Sequence, residues 1–171
     1  PGDLSAALTC AETARMRSAA QPMSHVAAIA TVALIQLARR DLPAAYAAAE
    51  EATRKASSLG AMEEGEEMLR LTCIEVLVAL DRIEEADEML RAAYDWIMLR
   101  AVSISAQVHR DSYLSRLYEV RRIIDLAVER LGVDRPLVSS EPPPPVVPKF
   151  SARPGPLRTT MHDEEPPYSQ G

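Results

Sequence analysis

A pattern of small residues recurs three times along this chain and narrows the folds open to it. In "GDLSAALTCAETA", "RDLPAAYAAAEEA" and "DRIEEADEMLRAA" a small residue is followed four positions on by an apolar one and three further on by alanine. The positions are Ala7, Ala11 and Ala14; Ala45, Ala49 and Ala52; and Ala86, Leu90 and Ala93, at offsets of 38 and 41 residues. Steps of four and three place each set on one face of an α-helix. A face built of small side chains lets a second helix come close, because a larger substituent on Cβ would push the two apart. Each set therefore predicts a tight antiparallel helix crossing. Each follows a short turn with Asp and an apolar residue: Asp3-Leu4, Asp41-Leu42 and Asp81-Arg82-Ile83.

The rest of the body keeps the same period. Leu69, Cys73, Val76, Leu77 and Leu80 share one face. Ile83, Ala86, Leu90, Ala93, Ile97, Ala101 and Ile104 form a longer stripe, and Tyr113, Leu117, Val120, Ile124, Ala127 and Leu131 repeat its steps. Such stripes mark amphipathic helices packed on neighbours. Only seven residues are aromatic, while Ala and Leu abound, which suits helices better than strands. Capping signals agree: Ser24 after Pro22, Asp41 with Pro43 in the first turn, Gly60 at an end, Asp81 with Glu84 in capping-box spacing, and Gly132 as a stop. The expected fold is all-α, a stack of antiparallel hairpins of about six helices, over about 3–19, 24–39, 42–58, 61–80, 82–107 and 109–131.

These features resemble the tetratricopeptide repeat, a helix-turn-helix unit of about 34 residues whose second helix carries alanine, a bulky residue four later and alanine three later. The match lies in the second helices; the first helices lack the family's Trp and Gly, and Gln36 stands where Tyr is common. The resemblance covers about residues 2–107 and implies a stack with a concave binding face. It places the first helix as the second half of a hairpin. With Pro1 as the first residue, it leads to the expectation of a processed chain or a piece of a longer one.

Composition shifts after Gly132. Of 13 prolines, only Pro1, Pro22 and Pro43 come earlier. The run "EPPPPVVPKFSARPGPLRTTMHDEEPPYSQG" has no apolar period, so the folded domain is expected over 1–138 and a disordered Pro-rich tail over 139–171. Pro145 to Pro148 has the PxxP form that docks in aromatic grooves, although such tails commonly serve as linkers.

The tripeptide His109-Arg110-Asp111 spells the start of a protein-kinase catalytic loop. That loop needs Asn five residues after the Asp, and Arg116 stands there. No Gly-rich loop, strand lysine motif or Asp-Phe-Gly accompanies it. The expectation is a non-catalytic Asp111 in the first turn of the last helix. A second resemblance spans about Glu84 to Gly132. It is similar to the C-terminal end of the tetratricopeptide arm in large bacterial signalling proteins, among them serine/threonine kinases, cyclases and regulatory ATPases. Arg110, Ser112, Tyr113, Leu114, Arg121-Arg122 and Leu131-Gly132 hold the matching places. It implies that any kinase or ATPase activity belongs to a domain upstream.

Charge and cysteines restrict partners. Lys and Arg number 19, Asp and Glu 25, and the net charge is −6, so neither a nucleic acid nor a membrane surface is expected. The apolar run Val26 to Ala38 is shorter than the roughly 20 residues a bilayer requires. Cys10 and Cys73 have no metal or disulfide spacing, fit a reducing, cytoplasmic setting and are expected to be buried, inert thiols. His25, His109 and His162 lack ligand spacing, so no metal or other cofactor is expected. The acidic pairs Glu63-Glu64, Glu66-Glu67 and Glu84-Glu85 suit the first turns of helices.

The expected function is a protein–protein interaction or scaffold module, the C-terminal sensor arm of a signalling protein. The alternative is self-association through an exposed end of the stack; a free-standing helical enzyme is a third reading, without a polar constellation to carry it. Candidate partner-binding residues are Tyr94, Trp96, Tyr113, Tyr118, Arg121 and Arg122, for aromatics and arginine dominate interface hot spots. Core packing is the default role of the aromatics, and a partner anchor the sharper hypothesis.

Overall fold

The computed structural model describes residues 2–60 and 65–138. Among them lie seven α-helices and no strand: α1 Leu4–Arg17, α2 Pro22–Ala38, α3 Leu42–Leu59, α4 Glu66–Ala79, α5 Ile83–Ser103, α6 Gln107–Arg116 and α7 Tyr118–Leu131. The all-helical expectation holds, with one helix more than the sequence period suggests. The last expected helix is two, because Leu117 adopts φ −73° and ψ 122° and breaks the chain in one extended residue. Leu117 is 45% exposed, so it leaves the stripe drawn through Tyr113 and Val120. The break lets α6 bury Leu114 while α7 turns Val120, Ile123, Ile124, Leu126 and Ala127 inward. The start expected for the fourth helix, at about residue 61 with Glu63-Glu64 in its first turn, and the whole of the expected tail lie outside the described residues.

Capping explains where helices begin. Asp3 accepts from the Ser5 and Ala6 amides at 2.9 and 3.0 Å, and Asp41 from the Ala44 amide at 3.2 Å. Two expected caps do not form. Ser24 lies inside α2, which the chain enters from Gln21 with Pro22 in the first turn. Asp81 makes no capping box with Glu84, because it occupies a left-handed turn at φ 60°; Arg82 takes the cap position and binds Glu85 at 2.6 Å.

That left-handed turn is itself repeated. Arg40 has φ 64°; its amide donates to the Leu37 carbonyl, and the Asp41 amide to the Gln36 carbonyl, both at 3.0 Å. Likewise the Asp81 amide donates to Val78 at 3.1 Å and the Arg82 amide to Leu77 at 3.0 Å. This paired closure satisfies the last carbonyls of a helix and reverses the chain. Gly132, at φ 66°, ends α7 in the same left-handed conformation.

Packing follows the same order. Each helix from α1 to α4 packs on the next in sequence; α2 also packs on α4, and α7 packs on both α4 and α5. So α2, α4 and α7 make one continuous row, and α1, α3 and α5 a looser second row whose backbones stay apart and whose members meet through side chains, Arg15 of α1 on Glu51 of α3 at 2.8 Å among them. A stack that is tight along one row and open along the other curves toward the tight row. α7 thus occupies the place that α2 and α4 occupy, and α6 is inserted between α5 and α7.

The core has two parts that share α4. Leu69, Cys73 and Val76 face α2 and α3, whereas Leu71 and Ile74 join the part built with α5 and α7. Ala45, Ala49, Ala52, Ala86, Leu90 and Ala93 are all buried at the helix crossings. The first set differs. Ala11 is buried, Ala7 half-buried and Ala14 exposed, since α1 packs its backbone on α2 and meets α3 through the Arg15–Glu51 pair.

Candidate functional site

Where the first turn of α4, the last turns of α5, α6 and the start of α7 meet, they enclose an open recess of about 690 Å³. Met68, Ile104 and Leu117 give it apolar walls; Glu67, Arg100 and Glu119 give it charge of both signs; Tyr113 of α6 closes one side. The Tyr113 hydroxyl donates to Glu67 Oε1 at 3.3 Å, and Arg100 Nε stands 3.9 Å from the same oxygen. Burial, then the Glu67 charge, holds the Tyr113 phenol above its usual range, so it stays a hydrogen-bond donor.

The arrangement continues outward. The Arg100 guanidinium lies 5.3 Å from the centre of the Trp96 ring and the Arg70 guanidinium 5.2 Å from it. Arg70 is in turn held by Glu66 at 3.0 Å, four residues earlier on α4. Each cation over the indole contributes about 0.5–1 kcal/mol at such a partly exposed place. One connected line of six side chains therefore runs Glu66, Arg70, Trp96, Arg100, Glu67, Tyr113. It fixes the rotamers along this edge of the recess.

Of the candidate residues chosen from sequence, the fold brings Trp96 and Tyr113 into this line. It places the others elsewhere. Tyr94 donates to the Asp134 carbonyl at 2.7 Å and ties the segment after α7 back to α5. Tyr118 and Arg121 lie exposed on the outer side of α7. Arg122 reaches across the tight row to Glu75 of α4 at 3.7 Å. Sequence reasoning missed Glu67, Met68, Arg100 and Ile104. Arg100 is the one with a local signal, its spacing of four from Trp96.

A second depression lies on the open side, between α3 and α5. Two connected hollows of about 290 and 330 Å³ share Thr53, Cys73 and Met89. The Cys73 thiol sits 3.2 Å from Thr53 Oγ1, and burial pushes its pKa up, ahead of the lowering effects of Thr53 and Arg70. Its burial is as expected. Cys10 departs from expectation: it lies exposed on α1.

The kinase-like tripeptide does structural work. Arg110 Nη2 donates to the Ile104 carbonyl at 2.8 Å, and Nε lies 3.1 Å from that of Ala101. Asp111 sits in the second turn of α6, not the first, and accepts from Gln107 at 2.7 Å. His109 is exposed. Among the described residues no group of His, Cys, Asp and Glu is placed to hold a metal ion, and no helix is long and apolar enough to cross a membrane.

Compared with known proteins, the chain matches no family model, no curated protein and no solved structure.

Proposed function

We propose that this chain is a protein-interaction module, a short tetratricopeptide-like stack acting as a sensor or scaffold arm of a larger bacterial signalling protein, cytoplasmic and without a cofactor or catalysis of its own. The recess carries this reading. Its apolar walls, its aromatic side chain and its charges of both signs are the materials of an interface hot spot, and they are held in place before a partner arrives. In the recess Glu67 is engaged by a phenol and a guanidinium, and the Ser103 hydroxyl is spent on the Arg100 carbonyl at 2.6 Å.

The test is site-resolved photo-crosslinking in cells that make the protein. A photoreactive residue at Leu117, in the recess, is compared with one at Ala47, exposed on α3. A discrete heterologous protein captured from Leu117 and not from Ala47 supports the reading; equal patterns from both sites refute it.

Self-association is a second reading, and the outward face of α1 favours it. The residues equivalent to Ala48 and Ala52 of α3, which are buried, are Cys10 and Ala14 of α1, which are exposed. A concentration series in sedimentation, with Ala14→Glu as comparison, tests it. A mass that stays monomeric throughout removes it.

A further inference from the structure

We propose that α6 is a latch: it opens as a unit, hinged at Leu117 and at residues 104–106, while the stack beneath stays folded. The first support is the order of packing. α7 takes its place on α4 and α5 directly, so the rows are complete without α6. The second is how little of α6 is buried. Of its ten residues only Asp111 and Leu114 are buried, and the apolar core receives Leu114 with the half-buried ring of Tyr113 against it. A helix attached by so little apolar surface opens well before global unfolding.

Both ends of α6 are built to release. Ala106 precedes it with no side-chain cap, and the extended Leu117 separates it from α7, so neither neighbour's backbone ladder continues into it. What holds it shut is polar. Arg110 grips the carbonyls of Ile104 and Ala101, and the Tyr113 hydroxyl reaches Glu67. These bonds are only partly buried, and water replaces them on opening. Because Tyr113 and Leu117 form one side of the recess, an open α6 removes that side and widens the recess toward α5 and α7. The device depends on the fold alone and stands whether or not the recess binds a protein.

Hydrogen exchange of the full chain, read by mass spectrometry and corrected for intrinsic rates, tests it. Amides of Gln107–Arg116 are expected to exchange at least about tenfold faster than those of α5 and α7. Arg110→Ala is expected to speed α6 by about a further tenfold or more, because the bonds to the α5 carbonyls no longer oppose opening. Tyr113→Phe, a milder change, is expected to move α6 the same way. Exchange of α6 at the rate of α7 in the unaltered protein overturns the proposal, as does an Arg110→Ala variant whose α6 amides exchange no faster than the parent's.

Discussion

Arg110 closes the end of α5 through Ile104: its Nη2 donates to the Ile104 carbonyl at 2.8 Å, and its Nε stands 3.2 Å from the same oxygen. Carbonyls at a helix C-terminus lack intrahelical donors and carry the negative end of the dipole, so a cation there is doubly favoured. Bonds from a charged donor contribute about 1.5–3 kcal/mol. Arg110→Met is expected to lower stability by about 2 kcal/mol in urea denaturation. Arg110→Lys should recover only part of it, because an ammonium cannot span the Ile104 and Ala101 carbonyls as the guanidinium does. A Met variant as stable as the parent would remove Arg110 from this role.

The two left-handed turns carry side chains that do not favour them. Outside glycine and, to a lesser degree, Asn and Asp, the left-handed conformation costs roughly 1–2 kcal/mol. Arg40, at φ 64°, bears more of that cost than Asp81, at φ 60°. Glycine removes the strain and gives some back as freedom in the unfolded chain. Arg40→Gly is therefore expected to stabilise by about 0.5–1 kcal/mol and Asp81→Gly by less. Equal destabilisation by both, seen as lowered thermal midpoints, would contradict the turn geometry.

The three alanine sets look alike in sequence and differ in the fold. Ala86 is fully buried at the crossing of α5, and Ala86→Leu should overpack it and cost about 1–3 kcal/mol. Ala14, in the third position of its set, is exposed, and Ala14→Leu should change stability by less than about 0.5 kcal/mol. Denaturation curves of the two variants side by side check this. A similar loss in both would mean that the Ala14 face of α1 is covered.

This contrast marks what could be read before the structure. The buried sets in α3 and α5 were legible because a helix crossing imprints small residues at local spacing. That Ala14 escapes burial was not, because the same spacing is written whether or not a neighbour is present. The break at Leu117 left no trace either: it uses neither Gly nor Pro, and a leucine at the expected step hides it. Of the recess, the Trp96–Arg100 contact is local and visible, whereas Glu67 and Tyr113 lie 46 residues apart and meet only through packing. The tripeptide at Arg110 shows the reverse case, a familiar string whose meaning is set by the carbonyls it faces.

The alkaline limb of stability should report acids held above their ordinary range, the buried Cys73 and the half-buried Tyr113 among them. Burial raises the Cys73 thiol above its ordinary 9.0 and the Tyr113 phenol above its ordinary 10.0, with Glu67 adding to the latter. In the unfolded chain both lose their protons near those ordinary values; in the folded chain both retain them. Above about pH 9 the native state thus binds more protons than the unfolded one, and stability falls as pH rises. It is fully present below that pH, so curves at pH 7 and 8 should differ little on this account, while those at pH 10 and above decline. Cys73→Ala and Tyr113→Phe each lower stability at neutral pH and should each flatten the alkaline slope. The same burial governs reactivity, because the thiolate is the nucleophile. At pH 8 an aromatic disulfide reagent should modify Cys10 rapidly in the native protein and Cys73 only after denaturation, since the first thiol is exposed and the second buried. Two rapidly reacting thiols in the native state would show that the floor of the α3–α5 depression opens freely and would remove the basis for the Cys73 part of the slope.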